Sequence, residues 1–150
     1  MELILWRHAE AEDGADDMRR RLTGKGDKQA DKMAAFLRPL LPKETRILAS
    51  PAVRAEQTVK TLGLDFITEP AIAPAAPARA LLQAANWPKG SGCVLLVGHQ
   101  PSLGAAAALA MTGTATYWNI KKGAVWWFGQ RERDGETETL LRLAMAPEFL

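Results

Sequence analysis

Cys93-Val94-Leu95-Leu96-Val97-Gly98-His99-Gln100-Pro101, residues 93–101, opens on five consecutive apolar side chains and ends on a glycine, a histidine and a proline. An apolar run this short, closed by turn formers, predicts a strand buried on both faces. The alanine-rich segment from Pro101 to Met111 follows at once and predicts a helix. A buried strand that feeds a helix is the repeating unit of a layered α/β sheet.

The same grammar holds on either side. Arg46-Ile47-Leu48-Ala49 predicts a second strand, and Ser50-Pro51 supplies an N-cap and a proline for the first helical position. Ala52, Ala55, Val59 and Leu62 carry that helix at spacings of three and four, and Gly63 ends it. Leu3-Ile4-Leu5-Trp6 predicts a strand; after a polar stretch, Ala30, Met33, Ala34 and Leu37 recur at helical spacing up to Pro39. A short strand at Phe66–Thr68 and a helix from about Pro77 to Ala85 fill the middle. The Pro/Ala-rich segment Pro70–Ala78 between them is short enough for a loop. The tail offers strands around Ala124–Phe128 and Thr139–Ala144, with Asp134-Gly135 as a turn inside a longer connecting loop. Trp126 and Trp127, adjacent on a strand, must face opposite sides. Together these elements predict one α/β domain over residues 1–150, a three-layer α/β/α sandwich whose mostly parallel sheet carries antiparallel edge strands.

Composition narrows the function. The 150 residues are 47% apolar and 24% charged, an ordinary balance, and the net charge of +2 argues for neither nucleic acid nor membrane as a partner. The one cysteine, Cys93, excludes an internal disulfide and reads as a small buried hydrophobe. Met1-Glu2 leads straight into strand-like sequence without a leader, and no apolar run nears the roughly 20 residues of a membrane span. A cytoplasmic location is the expectation.

Sheets of this kind bind ligands at the carboxyl ends of their strands. Arg7-His8 directly follows the first strand, Arg54 lies one turn into the helix after the second, and His99 follows the buried strand. Taken singly, each has a bland reading: a structural histidine, a solvated helix arginine, a strand cap. Taken together, they bring two guanidinium groups and both histidines of the chain to one sheet edge. That set suits phosphoryl transfer, where catalysis is mainly positioning and charge stabilisation. Arginine offers a flat fork of donors that stays charged. A neutral imidazole, with an ordinary pKa of about 6.5, offers one nitrogen to phosphorus while the other holds a proton. The second histidine can donate to a phosphoryl oxygen. Amides at the starts of the helices after Ser50 and Gln100 add candidate anion contacts. With two histidines and one cysteine at no ligand-like spacing, no metal is expected. Arg19-Arg20-Arg21 reads as a solvated basic patch near the pocket.

Four segments then occur in a familiar order: Leu5-Trp6-Arg7-His8-Ala9; Leu22-Thr23-x-x-Gly26-x-x-Gln29-Ala30; Ser50-Pro51-x-x-Arg54-Ala55-x-Gln57-Thr58; and Val97-Gly98-His99-Gln100-Pro101. In them the chain resembles the histidine phosphatase superfamily, the phosphoglycerate mutase-like proteins. Its short length and Gly-His-x-Pro form are most similar to the SixA-type phosphohistidine phosphatases. The resemblance implies a phosphohistidine intermediate on His8, phosphate contacts from Arg7, Arg54 and His99, and no cofactor. It also implies Arg20 and Gln100 as residues on the substrate side.

Two departures from the family pattern matter. Ala9 stands where the family has glycine, adding a methyl group where the backbone is expected close to phosphate. Members that act on phosphate esters carry a catalytic acid in the loop after the third strand, and here Ala71 falls at that place. Glu69 substitutes only if its loop curls inward; Glu10 and Glu12 are the other candidate proton sources. A phosphoramidate leaves more readily than an alkoxide, so weak acid provision favours a P–N substrate. No inserted segment closes over the pocket, which suits a phosphorylated side chain on another protein. The expected substrate is therefore phosphohistidine on a protein. The alternatives are a small phosphorylated ester, such as a sugar phosphate or nucleotide, and a phosphate-binding module with little turnover.

Overall fold

Successive residues of a strand point to opposite faces, and this chain buries both. The computed structural model describes residues 1–150. Strands run over Glu2–Arg7 (β1), Arg46–Ala49 (β2), Ile67–Thr68 (β3), Cys93–Gly98 (β4), Val125–Arg133 (β5) and Glu136–Met145 (β6). Helices span Gly24–Leu37 (α1), Val53–Lys60 (α2), Ala78–Ala85 (α3) and Ser102–Thr112 (α4). Leu3, Leu5, Val94 and Leu96 pack on one side against Leu81, Leu82, Leu103 and Ala107 of α3 and α4. Ile4, Trp6, Leu95 and Val97 pack on the other against Met33, Leu37, Ala55 and Val59 of α1 and α2. The result is the expected three-layer α/β/α sandwich.

One six-stranded sheet has the order β3-β2-β4-β1-β5-β6. β1 to β4 are mutually parallel, β5 runs antiparallel beside β1, and β6 pairs antiparallel with β5 at the edge. Trp127 is buried on the α1/α2 side, and Trp126 tilts against Trp118 on the other, with centroids 6.0 Å apart. No helix is long and apolar enough to cross a membrane.

Several boundaries differ from the sequence reading. α2 begins at Val53 with Ala52 as its cap: Ser50 Oγ accepts from the Ala52 amide at 3.2 Å, but residues 51–52 form a bend before the helix starts. The terminal strands run on to Arg133 and from Glu136, so Asp134-Gly135 is a minimal two-residue turn, both residues at positive φ. Their polar extension lacks an apolar signal, but the ladder continues and Arg131 pairs with Glu138 across it at 2.9 Å. α1 starts at Gly24, well before its first apolar repeat, because Thr23 Oγ1 accepts from the Gly26 amide at 2.9 Å and caps it.

Candidate active site

Strand register makes the site. β1 and β4 pair with Arg7 opposite Gly98, so the next residues, His8 and His99, emerge side by side. Their rings lie 5.1 Å apart, tilted by 54°. The His8 amide donates to the Gly98 carbonyl at 3.0 Å, and the Gly123 amide donates to the His8 carbonyl at 3.1 Å. The backbone that carries His8 is therefore held on both sides.

The ring of His8 is oriented by two bonds. Its Nδ1 lies 2.7 Å from the Ala9 carbonyl oxygen, and a carbonyl only accepts, so Nδ1 carries the proton. Nε2 is thus the bare nitrogen, and it accepts from Arg54 Nε at 3.3 Å. The carbonyl that fixes this tautomer is itself fixed. The Ala9 amide donates to Thr58 Oγ1 at 3.1 Å, and the Glu10 amide, in the same peptide plane as that carbonyl, donates to Gln29 Oε1 at 2.9 Å. The Ala9 methyl group packs against Leu22 and Ala30, and its φ is not positive, so this departure from the family pattern is absorbed by the core.

His99 is arranged differently. Ser50 Oγ already accepts from the Ala52 amide at 3.2 Å, which frees its own proton to donate to His99 Nε2 at 2.6 Å. That assignment leaves the proton on Nδ1, which is buried and bonds to no protein group. Arg7 Nε is buried in the same unpaired way, while Arg7 Nη1 donates to the Ile120 carbonyl at 2.8 Å. Arg7 Nε and His99 Nδ1 are both donors left without a partner among the protein groups.

Burial sets the electrostatics. His8 and His99 are only 8% and 4% exposed. Desolvation, joined by the Arg54 and Arg7 charges and opposed by the Ala9 hydrogen bond, pushes His8 down to about 4. Desolvation, with His8 and Arg54 beside it, pushes His99 down to about 3. Both imidazoles are neutral at pH 7. Burial also lowers Arg7 from the ordinary arginine value.

The pocket measures about 300 Å³ and is lined by Arg7, His8, Arg54, His99, Gln100 and Arg20, with Asp17 at its mouth. It thus brings together all four residues expected at strand ends and both residues expected on the substrate side. The Gln100 amide group is largely committed to the fold: its Oε1 accepts from the Gly104 amide at 2.7 Å and its Nε2 donates to the Trp118 carbonyl at 2.9 Å. The proposed carboxylates are not brought in. Glu69 Oε1 caps its own turn by accepting from the Ala71 amide at 3.0 Å. Glu10 Oε2 accepts from Thr23 Oγ1 at 2.9 Å, and Glu12 meets Arg20 only through its carbonyl oxygen.

Asp17 is the acidic residue that sequence reasoning missed. It sits in a 3-10 turn, Asp17–Arg19, that has no apolar signal. Its Oδ1 accepts from Arg20 at 3.0 Å, its Oδ2 from Arg54 Nη2 at 3.2 Å, and its carbonyl from Arg54 Nη1 at 2.6 Å. Arg20 first, and then Arg54, hold its carboxyl below the usual range. Arg19 pairs with Asp16 at 3.4 Å, so two of the three arginines at 19–21 are neutralised locally.

A larger cavity, about 780 Å³, lies beside Met1, Trp87 and Gln130 and holds neither histidine. Size does not locate the chemistry here. No three His, Cys, Asp or Glu side chains converge in a way that could hold a metal ion.

The profile of the histidine phosphatase superfamily (branch 1) matches residues 3–75. The phosphohistidine phosphatase SixA of Escherichia coli K12 is 33% identical over 115 residues, covering 69% of this chain and 70% of the relative. An uncharacterised protein of Picosynechococcus sp. is 33% identical over 163 residues, covering 100% of this chain and 99% of its own length. The structure of the protein histidine phosphatase SixA complexed with tungstate superposes with a TM-score of 0.82 at 26% identity, over 99% of both chains. By these likenesses, this chain belongs to the histidine phosphatase superfamily, in its SixA-type branch.

Proposed function

We propose that this phosphatase hydrolyses phosphohistidine on a protein, through a covalent phosphoryl intermediate on His8 Nε2. The observation that carries the reading is the acid inventory of the pocket. Asp17 is the only carboxylate lining it, and its two arginine partners keep it ionised. An alkoxide leaving group needs a proton from such an acid. A phosphorylated imidazole does not: with a proton on its other ring nitrogen, it departs neutral as the P–N bonding pair returns to the leaving nitrogen.

In the first step His8 Nε2 donates its lone pair to phosphorus while the substrate's P–N bond breaks. Arg7, Arg54 and His99 donate to the non-bridging oxygens, and Arg20 flanks the entrance. Neutral His8 needs no deprotonation, because burial holds it down to about 4. In the second step water attacks the phosphoryl group on Nε2. The P–N bond to His8 breaks, the pair returns to Nε2, and the water proton leaves with phosphate or to solvent. Gln100 contributes mainly by holding its loop.

The test compares phosphate release from a histidine-phosphorylated carrier protein and from p-nitrophenyl phosphate, for wild type and His8→Ala. Rapid acid-free quenching of the wild type should capture an acid-labile phosphoenzyme that the variant lacks. Release from the carrier that vanishes in His8→Ala supports the reading. Turnover confined to the ester would overturn the substrate assignment, and phosphate binding without turnover of either substrate would overturn catalysis.

A further inference from the structure

A second concavity, about 510 Å³, adjoins the catalytic pocket and shares Arg7 and Lys122 with it. Its other cations are Lys25, Lys28 and Lys32 on α1 and Lys121 on the segment before β5. Positions 25, 28 and 32 fall on one stripe of a helix; Asp27 lies well off it, and Asp31, three residues after Lys28, flanks its edge. Lys121 pairs with Glu148 at 2.6 Å. Lys25, Lys28, Lys32 and Lys122 make no ion pair within 4.0 Å. Four uncompensated ammonium groups thus border the site in a chain whose net charge is only +2.

We propose that this groove receives an acidic segment of the protein whose phosphorylated side chain enters the catalytic pocket; the inference rests on the reading above and names the partner's surface. The lysines are all exposed. Such charges act less as a fixed anion cage than as a field that steers and orients a partner. From Lys25 to Lys32 the stripe covers about 10 Å at the helical rise, which suits several carboxylates along a surface better than one phosphate. A compact second-phosphate site would present a buried, convergent donor, and the groove has none beyond Arg7, which the catalytic pocket already uses. A single-stranded nucleic acid would want aromatic stacking platforms, and no aromatic residue lines the groove.

The experiment uses the whole chain and the double variant Lys28→Glu/Lys32→Glu, neither residue part of the catalytic pocket. With a negatively charged, histidine-phosphorylated carrier protein at low ionic strength, kcat/KM should fall at least about tenfold. The deficit should shrink toward none near 0.5 M salt, where the Debye length is about 4 Å. Hydrolysis of p-nitrophenyl phosphate should stay within about twofold, as expected for steering. Independently of turnover, an octaglutamate peptide should shift the amide resonances of α1 and of residues 119–123, and the double variant should abolish those shifts.

If the wild type releases no phosphate from the carrier yet octaglutamate still maps to the groove, the substrate reading fails and the docking surface stands. If the carrier is turned over but charge reversal changes nothing and the peptide does not bind, the docking surface fails and the substrate reading stands. A single-stranded oligonucleotide that binds more tightly than octaglutamate, or inorganic phosphate that shifts α1 as strongly, overturns the inference in favour of those ligands.

Discussion

Gly26→Ala tests whether α1 serves catalysis by holding the backbone that follows His8. A β-carbon on Gly26 would stand 2.0 Å from the Glu10 carbonyl oxygen and 2.9 Å from its carbon, whereas real β-carbons keep at least 3.0 Å. The two backbones must therefore part by about 1 Å, in a core that does not yield smoothly. Neither has an easy retreat. The Glu10 carbonyl accepts from the Thr23 amide at 3.0 Å, and its amide is bound to Gln29 at 2.9 Å. The preceding peptide, Ala9–Glu10, whose nitrogen lies 3.1 Å from the same β-carbon, carries the carbonyl 2.7 Å from His8 Nδ1.

A misplacement of about 1 Å at a reacting group can cost about 100-fold in rate, equivalent to about 2.7 kcal/mol of activation free energy. Overpacking costs roughly 1–3 kcal/mol of stability, against which alanine regains up to about 1 kcal/mol of helix propensity. The variant should stay folded while kcat on p-nitrophenyl phosphate drops about 100-fold. Circular dichroism and a thermal melt check the fold. Gly24→Ala is the control, since a β-carbon there meets nothing within 4 Å. A folded Gly26→Ala variant with kcat within about threefold of wild type would refute the claim that this contact positions the nucleophile.

Two further predictions concern charge. His8 and His99 have folded pKa values depressed to about 4 and about 3, so the unfolded chain binds more protons below the ordinary value of about 6.5. Their contribution to stability is full above that value and is lost as pH falls toward the folded ones, about 3 kcal/mol for His8 alone. Urea unfolding from pH 7 to 4 should show a shallower loss for His99→Gln than for wild type, and equal slopes would refute it. If His8 is the nucleophile, the acid limb of kcat/KM should likewise lie near 4, the value of its buried imidazole. Asp17→Asn removes the anion that competes for Arg54 and Arg20. Inorganic phosphate should then inhibit about fivefold more tightly, roughly 1 kcal/mol for a partly solvated charge. An unchanged or weaker inhibition constant would sink that competition.

The sequence announced what hydrophobic burial controls. Residues 3–6, 47–49 and 93–97 are apolar because both sheet faces are covered, and the residues just past their ends had to share an edge. His8, Arg54 and His99 were legible for that reason. What escaped notice is held by polar contacts without a period. The Asp17 turn buries nothing. The first turn of α1 is set by a threonine cap rather than an apolar stripe. The polar half of the β5–β6 hairpin continues by ladder bonds and the Arg131–Glu138 pair. The lysine groove needs chain segments about 90 residues apart to meet, and Lys25, Lys28 and Lys32 alone read as an ordinary solvated face.

The ordered segments that carried the resemblance have one physical meaning that no single segment reveals. Thr23, Gly26 and Gln29 each touch Glu10, and Ala30 packs beneath Ala9. Thr58 accepts from the Ala9 amide, and Gln57 Oε1 accepts from the Leu22 amide at 2.8 Å, tying α2 to the strand bridge between Leu22 and Ala11. Two helices thus grip the few residues after the nucleophile, and most of the polar residues in those segments never reach the phosphoryl group. They fix three successive peptide planes, and the middle one, Ala9–Glu10, fixes which nitrogen of His8 is bare. On the proposed reading, a pocket with no free acid can work on a P–N bond only if His8 is already correctly protonated and aimed. The preorganisation that lids and acids supply elsewhere is here built into the backbone at residues 9–11.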